Sequence, residues 1–290
     1  MASKINYFFD YFRYLENPVD CLLFKFGLKN SCIAKPKYYD ETFEISHVPA
    51  INNLMECISS DHLINSEGAF NFIKEYGTGK DIIEWENLKI LNKNAGVFLE
   101  NYLRGSWGEI GINYNNRTVI DIGANVGDTA LFFAKNGAEV YGFEPVKDLY
   151  NISLQNIELN QSLKDKIHIF NYGVSYKRGK LNIEEMRSTS GYTNDKDKYS
   201  VDIITIDDIL NKYDVRQDIL KIDCEGCEFG IIENCDLSGF NDIIFEHHAV
   251  MVDSDYILLT EKLENEGFKI KKYNVFSIDF NDVGIIHAYK

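Results

Sequence analysis

The residue types best suited to chemistry gather at glycine-bearing turns, and the most informative of these is Thr118-Val-Ile-Asp-Ile-Gly-Ala-Asn-Val-Gly-Asp128. An apolar strand ending in Asp121 and turning through Gly123 and Gly127 into a helix sets a carboxylate and free backbone groups beside a ligand. Glycine lets the backbone approach that ligand closely, and Asp128 is expected to cap the helix. A dinucleotide loop of the G-x-G-x-x-G type needs glycine where this chain has Asn125, and an acidic strand end is a poor neighbour for pyrophosphate. A ligand bearing an ammonium group suits Asp121 better, met directly or through water. A tight turn with no ligand is the alternative.

A second turn follows one strand–helix–strand step later. Glu139-Val-Tyr-Gly-Phe-Glu-Pro145 ends in Glu144, 23 residues after Asp121. A carboxylate there can accept hydrogen bonds from both ribose hydroxyls of a nucleoside. Together the two turns fit S-adenosylmethionine (SAM), with its amino-acid part at Asp121. Tyr172, near the end of the third strand, either stacks on an adenine or simply packs.

The third motif, Ile219-Leu-Lys-Ile-Asp-Cys-Glu-Gly-Cys-Glu228, sets Asp223, Glu225 and Glu228 around another turn into a helix. Such carboxylates can bind a divalent cation, act as a base, or cap the helix; Glu228 is the easiest to dismiss as a helix-start charge. Cys224 and Cys227 form a C-x-x-C, but no second pair stands at zinc-ribbon spacing. They read as small reduced thiols in a crowded turn. In Asp242-Ile-Ile-Phe-Glu-His-His248, alternation sets Glu246 and His248 on one face and His247 on the other. Glu246 and His248 are candidates for base or substrate-binding work.

These motifs need a scaffold that brings strand ends together. Strand-like runs at 118–122, 139–143, 167–172, 201–206, 219–222, 242–246, 269–273 and 284–288 alternate with helical stretches at 128–136, 146–160, 227–233 and 256–266. That alternation predicts an α/β fold with a mainly parallel sheet covered by helices on both faces. Ligands in such sheets sit beyond the strands' carboxyl ends, which puts the chemistry just after Ile122, Phe143, Ile222 and Phe245. Residues 1–105 read as a mixed N-terminal extension without an assignable role, and 106–290 as the working domain. Within the extension, Ile5, Phe8, Phe9, Phe12 and Leu15 form one apolar helical face, expected to pack on its own domain. Tyr7, Tyr11 and Tyr14 add to its aromatic density.

Composition narrows the class further. Of 290 residues, 45% are hydrophobic and 26% charged, enough for a sizeable core. The net charge of −15 argues against nucleic-acid and anionic-lipid partners. No signal peptide or membrane span is expected, and with reduced thiols the chain reads as cytoplasmic. Its oligomeric state is not legible.

Taken together, Val119 to Asp128, Phe143-Glu-Pro145, Lys221-x-Asp-x-Glu-Gly-x-Glu228 and Glu246-x-His248 resemble the FkbM-type methyltransferases over about residues 95–290. The resemblance implies a Rossmann-like class I methyltransferase sheet, SAM as cofactor, and O-methylation of a hydroxyl on a sugar, glycan or small metabolite. By motif match, Asp121, Gly123, Asn125, Gly127 and Glu144 would bind SAM, with Tyr172 beside them. Asp223, Glu246 and His248 would carry the acceptor chemistry, and Glu225 and Glu228 would line the acceptor side. No metal ligand is predicted, although a divalent cation could assist. The competing readings are an NAD-linked oxidoreductase, against which Asn125 weighs, and a non-catalytic nucleoside-binding module, against which the acidic cluster weighs.

Overall fold

The computed structural model describes residues 2–59, 66–93, 95–102, 107–183, 199–248, 255–274, 280 and 283–290, with backbone alone at 2–7, 56, 66, 67, 100, 102 and 109. Two compact units make up the chain, Met1–Arg104 and Gly105–Lys290. The boundary expected between 105 and 106 and the side chains of Ile5 and Tyr7 lie outside the described residues.

The first unit carries α1 (Ala2–Tyr14), α2 (Pro18–Lys25), β1 (Cys32–Ala34), β2 (Phe43–Ile45), α3 (Val48–Ser59), α4 (Ser66–Gly77), β3 (Ile82–Trp85) and β4 (Leu88–Leu91). Pro18 starts α2 where its missing N–H costs nothing. Glu86 and Asn87, both at positive φ, turn β3 back onto β4. The apolar face of α1 divides differently from the expected stripe. Tyr11 and Leu15 are buried, whereas Phe8, Phe9 and Phe12 stand 40%, 61% and 42% exposed. Spacing identifies a face but not how far the partner surface extends along it.

The second unit runs β5 (Thr118–Ile122), α5 (Asp128–Lys135), β6 (Glu139–Phe143), α6 (Lys147–Leu159), β7 (Ile167–Phe170), β8 (Gly173–Val174), β9 (Gly179–Asn182), β10 (Ser200–Ile204) and α7 (Ile206–Tyr213). It continues with β11 (Ile219–Ile222), α8 (Cys227–Asn234), β12 (Asp242–His248), α9 (Tyr256–Asn265), β13 (Lys269–Asn274) and β14 (Val283–Tyr289). The main sheet has the order β13-β14-β12-β11-β5-β6-β7. All neighbours pair in parallel except around β14, which is antiparallel to both β12 and β13. β5 and β11 are buried at every position because layers cover both faces. Ile120, Ile122, Leu220, Ile222 and Phe245 anchor the core, each fully buried side chain contributing about 1.5–3 kcal/mol.

Register aligns the strand ends. Ile222 pairs with both Ile122 and Phe245, and Ile122 pairs with Phe143. The turns after Ile122, Phe143 and Ile222 therefore leave the sheet at one level, while β12 runs on past Phe245 to His248, paired with β14. Two expectations need correction. The strand expected at 201–206 is not part of the main sheet; as β10 it joins β8 and β9 in a separate three-stranded sheet. The third strand stops at Phe170, short of Tyr172. Strand 201–206 also overran a helix start: Thr205 and Asp208 form a capping box that opens α7.

Candidate functional site

A cavity of about 410 Å³ opens beyond the carboxyl ends of β5, β6 and β11. Gly123, Asn125 and Glu144 line one part of it; Asp223, Cys224, Glu225 and Cys227 line another. Val174, Leu181 and Ile203, from the small sheet, give it an apolar wall. Its size falls in the range of small-molecule sites.

On the first side the backbone, more than any ligand, explains the glycines. A Cβ on Gly123, at φ 81°, would sit 1.8 Å from the Asp223 carbonyl oxygen, so the two turns press directly on each other. A Cβ on Gly127 would meet Ser153 of α6 at 3.2 Å. Gly127 is also the N-cap of α5, and no side chain caps it; Asp128 is the helix's first residue, not its cap. Buried at 5% exposure, Asp128 is pushed up to about 7 by desolvation, which the Lys221 charge only partly offsets.

Glu144 is not at an open strand end. It is 5% exposed, and its carboxylate accepts the Asn125 N–H at 2.9 Å and the Val146 N–H at 2.7 Å. Burial raises its pKa to about 7 although both N–H groups pull the other way. The bond from Asn125, whose φ is 47°, ties the first turn to the second. Glu144 lines the cavity, and each oxygen retains accepting capacity beyond its one N–H, so the pair of acceptors fits a vicinal diol such as a ribose edge. Tyr172 is not on that wall. It is half-buried against the core, with the Lys212 ammonium 5.1 Å from its ring.

Asp121 also stands away from the cavity lining. It is fully buried, accepts a hydrogen bond from Thr129 Oγ1 at 2.6 Å, and pairs with Lys221 Nζ at 3.0 Å. Lys221 carries a role that its motif did not reveal. Only 1% exposed, it donates to the Gly123 carbonyl at 2.9 Å and lies 3.7 Å from Asp223 Oδ2. The available signal was a lysine inside the otherwise apolar Ile219-Leu-Lys-Ile222 run.

Around the β11 turn, the residue that looked easiest to dismiss is the organiser. Glu228 is fully buried; Oε1 accepts from the His248 backbone N–H at 3.1 Å and lies 3.2 Å from His248 Nδ1, while Oε2 accepts the Gly226 N–H at 2.9 Å. His248 Nε2 then faces Glu225 at 3.7 Å and Glu246 at 3.9 Å. Burial alone would lower the His248 pKa, but the Glu228 bond and the Glu246 and Asp223 charges outweigh it and raise it to about 9. His248 therefore keeps its proton at neutral pH. Glu246 is raised, first by burial and then by Asp223, and Glu225 is raised chiefly by burial. One ligand atom from each of Asp223, Glu246 and His248 falls within 4.8 Å of the others, a spacing that a divalent cation could bridge. His247 lies on the other face as expected, fully buried against Tyr256 and Phe280. The expected free thiols are corrected: Cys224 and Cys227 are joined in a disulfide across the turn. Their closeness follows from the left-handed residues between them, Glu225 at φ 59° and Gly226 at φ 117°.

No described helix is long and apolar enough to cross a membrane. No curated protein matches the chain. Among solved structures, a methyltransferase FkbM from Methylobacillus flagellatus KT is 16% identical with a TM-score of 0.47, over 63% of this chain and 46% of that one. The chain thus spans about half the length of that protein. Aeropyrum pernix fibrillarin, in complex with natively bound S-adenosyl-L-methionine, is 13% identical with a TM-score of 0.40 over 90% and 94% of the two chains. M. capricolum TrmK, in complex with S-adenosyl-homocysteine, is 16% identical with a TM-score of 0.39 over 61% and 63%. The architecture is α/β, a seven-stranded and mostly parallel sheet flanked by helices. The family model described as the methyltransferase FkbM domain matches residues 121–270, just over half of the sequence, and the chain belongs to that family.

Proposed function

We propose that this protein is a SAM-dependent methyltransferase that O-methylates a hydroxyl on a sugar, glycan or other small metabolite. The observation that carries this reading is one cavity lined by Gly123, Asn125 and Glu144 together with Asp223 and Glu225. Cofactor-binding and acceptor-binding groups held around one enclosure meet the chief requirement of an in-line transfer, which is alignment. When bound, SAM supplies an electrophilic methyl group on a sulfonium.

The chain's own residues divide the remaining work. Glu144 holds the ribose hydroxyls, and the Gly123–Asn125 turn fixes the position of that carboxylate. Asp223 accepts the proton of the acceptor hydroxyl, a role commonly worth about 10²–10⁴-fold. His248 already carries its proton at neutral pH, so it orients and neutralises Glu225 and Glu246 around the acceptor rather than serving as the base. The apolar wall of Val174, Leu181 and Ile203 excludes water from the adenosine side. A net charge of −15 favours an uncharged or cationic acceptor over nucleic acid. With the His248 proton offsetting the carboxylates, a divalent cation could bind among Asp223, Glu246 and His248 but is not part of this reading.

Calorimetry with SAM and with NAD tests the cofactor. Micromolar binding of SAM and none of NAD is expected; the reverse would make the protein an oxidoreductase. Screening hydroxylated glycosides and metabolites for conversion of SAM to S-adenosylhomocysteine tests the reaction. SAM binding without turnover on any acceptor, or methylation at nitrogen or carbon only, would count against O-methylation.

A further inference from the structure

Lys221 is an expensive residue where it stands. It sits within a strand buried at every position, and its ammonium is out of reach of water. A charge in such a place persists only when its partners are close and fixed. Here they are the Asp121 carboxylate across the β5–β11 pairing, the Gly123 carbonyl at 2.9 Å, and the Asp223 carboxylate at 3.7 Å. Asp121 belongs to β5, Gly123 opens the turn after it, and Asp223 opens the turn after β11. The turns are already close enough that the Asp223 N–H donates to the Ile122 carbonyl at 3.0 Å. Trp107 closes the site, its ring centroid 5.3 Å from the ammonium.

We infer that Lys221 is a positioning residue: its buried ammonium, not the ligand in the cavity, is the counter-charge of Asp121, and it ties the β5 turn to the β11 turn. The inference rests on the SAM reading above and refines it, because Asp121 is then not free to meet the amino-acid ammonium of SAM. Geometry supports that division. Asp121 is fully buried, is shared between Lys221 and Thr129, and is absent from the cavity wall, whereas Gly123 and Asp223 both lie on it. Lys221 thus influences the cavity without touching it.

The test is the double substitution Asp121→Asn with Lys221→Met, which removes both charges together and leaves neither buried alone. Calorimetry would compare SAM, S-adenosylhomocysteine and 5′-methylthioadenosine, the last of which lacks the amino-acid part. With the β5 turn unpinned, all three ligands should bind about tenfold more weakly, by the same factor, in a variant that melts cooperatively. Weakening confined to SAM and S-adenosylhomocysteine would overturn the inference, since Asp121 would then be the partner of their ammonium. Unchanged binding of all three would also overturn it, leaving Lys221 as core filling. Should the double variant not fold, Asp121→Asn alone decides. Binding of all three within about threefold of wild type supports the inference, and selective loss of the two amino-acid-bearing ligands overturns it. Absence of SAM binding by the wild-type protein would instead overturn the proposed function and this refinement with it.

Discussion

Glu144 is first a scaffold residue, and the proposed ribose contact would be added to that role. Its two oxygens each hold one backbone N–H, so truncation to alanine would leave Asn125 and Val146 unpaired, at about 1–3 kcal/mol each if they stay dry. Glu144→Gln is the cleaner probe. It leaves one of the two N–H groups unpaired instead of both, so it should remain folded, and it should bind SAM at least tenfold more weakly because an amide presents one acceptor oxygen where the carboxylate presents two. The raised pKa adds a pH signature. Above about 7 the wild-type carboxylate is ionised and, in the proposed role, would accept the ribose hydroxyls; below it the group protonates, and SAM affinity should fall. In Glu144→Gln that dependence should flatten, as titration calorimetry across pH 7 would reveal; an equally steep fall in the variant would assign the effect elsewhere. Asp223→Asn should lower turnover by about 10²-fold while SAM affinity stays within a few fold. Loss of SAM binding with normal turnover at saturating SAM would move Asp223 to the donor side.

At the scale of elements, the β11–α8 turn concentrates most of the site. It carries Asp223, Glu225 and the disulfide, and through Glu228 it reaches His248 at the end of β12. The disulfide spans only the three residues that follow Cys224, so it constrains little of the unfolded chain. Cys224→Ser with Cys227→Ser should therefore retain a cooperative fold and substantial methyl transfer, checked by thermal melting and a SAM turnover assay. Activity lost without loss of fold would mean the turn needs its cross-link. Metal dependence is argued on the same turn. With the His248 proton balancing Glu225 and Glu246, turnover should persist in EDTA; abolition by EDTA and rescue by Mg²⁺ or Mn²⁺ would place a cation among Asp223, Glu246 and His248.

For the molecule as a whole, the opposite end of the sheet looks after stability. Arg117 and His287 both bond the Asp242 carboxylate, each at 2.6 Å. Burial would raise Asp242, but these two bonds outweigh it and hold the carboxyl below its ordinary value. A depressed carboxyl stabilises the fold above the unfolded pKa, and that contribution disappears as pH falls through the folded value. Asp242→Asn should thus be less stable than wild type at neutral pH by about 1–3 kcal/mol, with the gap closing below about pH 4 in denaturant melts. A gap unchanged by acid would remove the pair from the stability account. Much of this organisation was legible in the sequence. Apolar runs alternating with helical periods determined the parallel sheet, and the motifs marked the strand ends at Ile122, Phe143 and Ile222, whereas β12 runs past Phe245 to His248. Those signals are local, since periodicity and turn residues depend on neighbours a few positions apart. What the sequence did not determine are contacts between distant segments. Lys221 meets Gly123, 98 residues away, and His248 meets Glu228, 20 away, because strand register and turn geometry bring them together. Glu144 and Asp121 were found as acidic strand ends, but only the packed turns decided that one borders the cavity and the other is enclosed. Burial is a property of all the layers at once, and it alone fixes which carboxylates are left to meet a ligand.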